Sequence, residues 1–114
     1  MAYDEKLADR IREYLVDFPK LKIEEKKMFR GLTFMINGKM CVSVSGNDMM
    51  VRFDPLRENE LVEMEGFRIM VMKKRVYHGY GYVSAEAIRS KKNFEFWMKE
   101  TLDYNARVKV RKKK

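Results

Sequence analysis

Apolar residues first recur at helical spacing. Leu7, Ile11, Tyr14, Leu15 and Phe18 fall on one side of a helical wheel together with Ala8, so the pattern predicts an amphipathic helix over Tyr3 to Phe18. Asp4 and Glu5 suit the positive end of its dipole, and Pro19 stops it. The period then shortens. Met28 to Ile36 is an apolar run interrupted by Arg30 and Gly31. Asn37-Gly38 follows, a two-residue hairpin signal because both turn positions need positive φ. Lys39 to Ser45 alternates, with Met40, Val42 and Val44 on one face and Cys41 and Ser43 on the other. Gly46-Asn47-Asp48 makes a second turn, and Met49 to Phe53 completes a three-stranded meander.

Asp54-Pro55 starts a helix, with an acid at the N-cap and proline at the first helical position. It is expected to run to about Glu65, carrying Leu61, Val62 and Met64, and to end at Gly66. Phe67 to Met72 and Val76 to Val83 read as two further strands, with Lys73-Lys74-Arg75 at the tip between them. Ser84 caps a turn through Ile88. Ser90 caps a last helix, Lys91 to Ala106, with Phe94, Trp97, Met98, Thr101 and Leu102 on one face. The order α-β-β-β-α-β-β-α predicts a two-layer α+β fold. Its antiparallel sheet has about five strands, with helices mainly on one face and the first and last helices sharing it. With no repeat and no internal linker, residues 1–106 form one domain and 107–114 a basic tail.

Composition narrows the function classes. The 114 residues carry a formal net charge of +8. Removing Arg107 to Lys114 takes the basic residues from 25 to 19, against 17 acidic ones, so the body is near neutral. That argues against nucleic acid as the main partner of the body and leaves a tail that contacts phosphate as the alternative. One cysteine, Cys41, excludes an intramolecular disulfide. The start Met-Ala-Tyr-Asp-Glu-Lys-Leu lacks the apolar run of a signal peptide, and no stretch reaches the length of a membrane span. A cytoplasmic protein is expected.

Two segments resemble the N-terminal domain of the TfoX/Sxy competence-regulator family. One is Lys27-Met28-Phe29-Arg30-Gly31-Leu32-Thr33-Phe34-Met35-Ile36-Asn37-Gly38-Lys39-Met40, similar to a Met-Phe-Gly-Gly stretch before an apolar strand and an Asn-Gly-Lys turn. The other is Val51-Arg52. Gly81-Tyr82-Val83 and Trp97 agree more loosely. Arg30 stands where that pattern has glycine, and tyrosine stands in the last strand where tryptophan is common. The resemblance covers residues 3 to 106. It implies a sheet-and-helix arrangement also seen in type III secretion chaperones, a fold often dimeric. It also implies a regulatory role in natural transformation alongside a DNA-bound activator, with no catalytic residues. Full-length members carry a second, C-terminal domain, and a stand-alone N-terminal domain followed only by the basic tail is the expectation here.

Candidate chemistry is sparse. Cys41 and His78 are the only soft ligands, too few for a structural zinc site, and they make a nucleophile pair only within hydrogen-bond reach. Gly79 and Gly81 do not precede a helix in a βαβ unit, so they read as a bulge or a close backbone approach. A bulge near Gly31 turns Arg30 outward, or else Arg30 and Arg52 form an anion site. Ten methionines are many for this length. Met35, Met50, Met70 and Met72, with Tyr80 and Tyr82, fall in parity on the sheet face away from the helices. Together with Arg30 and Arg52 they make the candidate interaction surface. Lys73, Lys74, Arg75, Arg107, Lys109, Arg111 and Lys112 are the candidate phosphate contacts. The expectation is a non-catalytic module that binds a protein partner or a second copy, with no cofactor, no metal and no membrane. The alternative is a weak, nonspecific nucleic-acid binder using the tail.

Overall fold

The computed structural model of the chain describes residues 3–28 and 31–108. Helix α1 spans Glu5–Leu15. Its first N–H groups have no intrahelical partner, and the Asp4 carboxylate accepts from two of them, Lys6 at 2.9 Å and Leu7 at 3.3 Å. Leu7, Ala8, Ile11 and Leu15 are buried. Phe18 lies beyond the helix and is exposed.

The sheet has six strands, where the pattern predicted about five. Strand β1 (Ile23–Met28) and β2 (Gly31–Ile36) form a hairpin ahead of the expected meander. β1 carries no alternation, because alternation records burial on one face and all six of its residues are exposed. After β3 (Lys39–Ser45) and β4 (Asp48–Arg52), the chain crosses a 3-10 turn (Pro55–Arg57) and a single-turn helix α2 (Glu58–Leu61). It resumes as β5 (Phe67–Met72) and returns as β6 (Arg75–Val83). The α2 segment is shorter than the predicted run to Glu65. Its Val62 is exposed, so no apolar stripe holds a longer helix to the core. Asp54 still caps the entry, accepting from the Leu56 N–H at 3.0 Å.

The strand order is β1-β2-β3-β4-β6-β5, antiparallel throughout. β6 therefore separates β5 from β4, and β5 becomes an edge. Asn37 (φ 53°) and Gly38 (φ 79°) make the expected turn between β2 and β3. The register along that hairpin shifts, with Phe34 opposite Val42 and Met35 opposite Met40. Cys41 is thus the extra residue of a bulge, which moves it to the helix side with Val42.

Helix α3 (Lys91–Arg107) lies over β3 and β4. It buries Phe94, Trp97, Met98 and Thr101 in the same core as α1, so both long helices occupy one face, as expected. The Trp97 ring stacks on Phe67 of β5 with centroids 5.2 Å apart and planes 8° apart. Phe53 meets Phe67 edge-on at 5.4 Å. These contacts tie the last helix to the late strands.

Candidate interaction surface

The reactive side chains are placed for packing. Cys41 is fully buried, with Sγ 3.5 Å from the Thr101 hydroxyl. The Thr101 Oγ1 also lies 2.7 Å from the carbonyl oxygens of Cys41 and Arg52, so its proton serves both. Threonine in the middle of α3 follows from the bulge, which takes Cys41 out of both ladders and leaves its carbonyl to be satisfied from above. Burial pushes the Cys41 thiol up to about 11 from 9.0, against smaller lowering effects from Thr101, Arg52 and Lys39. The folded chain therefore holds this proton at a pH where the unfolded chain has lost it. Stability is full below pH 9 and falls by about 2–3 kcal/mol by pH 11. A thiol-reactive probe at pH 8 should label Cys41 only after denaturant is added. Rapid labelling of the native protein would contradict this placement.

His78 lies on exposed β6 surface, with Nδ1 2.9 Å from Glu58 Oε2. It shares no partner with Cys41. Gly79 has φ 90° within the β6 irregularity, and its carbonyl accepts from the Phe53 N–H at 2.8 Å. That is the bulge reading of the glycine pair. Among the described residues no group of three His, Cys, Asp or Glu is placed to hold a metal ion. No helix among them is long and apolar enough to cross a membrane.

The sheet face away from the helices carries a continuous cross-strand row: Lys26, Thr33, Ser43, Met50, Tyr82 and Arg68. Its middle is closed to water. Ser43 donates to the Leu32 carbonyl at 3.0 Å, which leaves Thr33 as donor to Ser43 at 2.9 Å. Thr33, Ser43 and Met50 are 0% exposed. Arg68 closes the row, its guanidinium 5.5 Å from the Tyr82 ring centroid and 3.0 Å from Asp48 Oδ2. Met70 is buried too, while Met35, Tyr80 and Tyr82 are half-buried.

Arg52 is half-buried between the rings of Tyr80 and Tyr104, 5.6 Å from each centroid, with no carboxylate partner among the described residues. Arg107 stands on the same Tyr104 ring at 5.6 Å and pairs with Asp54 at 2.9 Å. The Asp54 carboxyl is held below its ordinary range, first by the Leu56 N–H and then by Arg107. Lys39 reaches the end of α3, donating to the Asn105 carbonyl at 2.5 Å and the Val108 carbonyl at 2.7 Å. Arg30, Lys109, Arg111 and Lys112 lie outside the described residues, as does the side chain of Met72.

The two sheet edges differ. β1 reads Ile-Glu-Glu-Lys-Lys-Met, and its Glu25 is gripped by Arg12 of α1 through two 2.7 Å bonds, which lower the Glu25 pKa. β5 reads Phe-Arg-Ile-Met-Val-Met, with one charge in six positions. Val71 is 54% exposed and its cross-strand neighbour Val76 45%. The tip joining β5 to β6 exposes Lys73, Lys74 and Arg75, with φ 51° and 65° at the two lysines. The β5 edge was not among the sequence-predicted sites. Its low charge was visible, but its place at the border depends on β6 inserting between β4 and β5.

A family model, the TfoX N-terminal domain, matches residues 13–104. No curated protein and no solved structure matches the chain.

Proposed function

Because the chain belongs to the TfoX N-terminal domain family, we propose that it is a non-catalytic regulatory domain that works by contacting another protein chain. The observation that carries this reading is the inequality of the sheet edges. Charged residues and a bidentate ion pair blunt β1, whereas β5 turns the backbone groups of Ile69 and Val71 outward beside exposed valine, the outward Phe67 N–H donating to the Met64 carbonyl at 3.3 Å. Such an edge accepts an added strand, with backbone hydrogen bonds giving affinity and side chains giving selectivity. The buried, packed thiol of Cys41 is inaccessible as a nucleophile in the folded chain. Cytoplasmic location and a part in competence or transcription control belong to the same reading, by kinship.

A competing reading uses Lys73, Lys74 and Arg75, exposed and without ion pairs among the described residues, together with the terminal lysines, to hold nucleic acid. Both are tested with the purified chain and its Val71→Lys variant as baits, and with a labelled DNA duplex. Proteins retained by the wild type and lost by the variant support the protein-contact reading. Equal retention by both baits, together with DNA binding that fades steeply with added salt, favours the nucleic-acid reading.

A further inference from the structure

We propose that β5 pairs antiparallel with β5 of a second copy of this chain, about a two-fold axis beside Ile69. The proposal rests on the protein-contact reading and names the partner. Its first support is the direction of the free backbone groups. The Ser84 N–H donates to the Gly66 carbonyl at 2.9 Å, so Gly66 faces β6. The two-residue turn at the other end pairs Met72 with Arg75. Even-numbered residues of β5 therefore bond inward, and the N–H and C=O groups of Ile69 and Val71 point out. The β5–β6 irregularity does not disturb this, since its extra residues are on β6.

Charge supplies the second support and selects the direction. Exposed Glu63 and Glu65 precede β5, and exposed Lys73, Lys74 and Arg75 follow it. None of the five makes an ion pair among the described residues. A parallel partner would set like charges together, whereas an antiparallel copy sets the acidic end of each strand against the basic end of the other. Outward residues must face outward residues, so registers in which an odd residue meets an even one are excluded. With Ile69 opposite Ile69, Phe67 meets the second copy's Val71, and the turn that carries Glu63 and Glu65 before β5 comes to the end where the second copy's Lys73-Lys74-Arg75 tip lies. The exposed flank of Val71 then packs beside Phe67 on the helix side. Arg68 meets Met70 on the other face, so no like charges oppose.

Sedimentation of the purified chain over a micromolar concentration series tests this. A dimer mass is expected. Val71→Lys, and Val71→Pro, which removes an outward N–H only, should each weaken association roughly tenfold or more. The circular dichroism of the monomer should not change. Glu65→Lys and Lys73→Glu should each weaken the dimer, and the two together should restore it. A wild type that stays monomeric, a dimer indifferent to Val71, or a double variant weaker than both singles would overturn the proposal. If the wild type is monomeric yet the Val71→Lys bait still loses its proteins, self-pairing fails and protein contact stands. If the dimer behaves as described but both baits retain the same proteins, self-pairing stands and contact with other proteins through this edge fails.

Discussion

Replacing Met50 with glutamate is expected to unfold the protein. Met50 sits on β4 between Ser43 and Tyr82, is 0% exposed, and has no ion-pairing group beside it in the row. The nearest hydroxyls are spent on each other and on the Leu32 carbonyl. A carboxylate there is desolvated without a partner, so it either holds its proton or forces the row apart. The loss should be about 4 kcal/mol or more at neutral pH, close to the whole stability of a domain this size. Met50→Leu, which keeps the volume, should cost less than about 1.5 kcal/mol. Urea unfolding of both variants checks this. A glutamate variant with the wild-type midpoint would mean that the row opens to water. The sign with pH is a second check. The buried carboxyl has a raised pKa, so the variant should regain stability as pH falls.

The second large effect is expected at Gly31. A Cβ placed there would lie 1.6 Å from the Val44 carbonyl oxygen and 2.8 Å from the carbon, both backbone atoms of the neighbouring strand. Nothing in that contact can rotate away. Gly31→Ala must push β2 from β3 at the start of their pairing, where Gly31 also faces Met28 of β1. A loss of about 3 kcal/mol or more is expected, far above the usual cost of adding one methyl group. A thermal midpoint within two or three degrees of wild type, roughly under 1 kcal/mol, would show that the strands yield cheaply.

How much of this was legible in the sequence depended on where water lies. α1, α3 and the Asn37-Gly38 turn were readable because their determinants are local: helical spacing, a capping side chain, positive φ. β1 was not. Between Ile23 and Met28 stand only Glu24, Glu25, Lys26 and Lys27, and a strand wet on both faces carries no period. The alternation of Lys39 to Ser45 was half right. The bulge reverses parity at Cys41, so Met40 joins the far face and Cys41 the helix side. No local signal marks that step, whose only trace is a threonine sixty residues later in α3. The parity of Met50 was readable, but its burial was not, because its cross-strand cover comes from Tyr82 of a distant strand. The parity of Met35, Met50 and Met70 was thus legible, while their burial depended on strand order.

The charges of β1 limit which borders of the sheet can take an added strand. A sheet with two open edges can add copies at both ends and grow without limit, as fibrils do. Here Glu24 to Lys27 and the Arg12 clamp on Glu25 close one end, so any strand-to-strand association has a single socket per chain. Pairing that consumes that socket leaves two charged borders facing outward and terminates. Neutralising β1, for instance by exchanging Glu24 and Lys26 for threonine, would leave both borders of the sheet open to an added strand. Such a variant should show slow, concentration-dependent growth in light scattering where the parent reaches a fixed size.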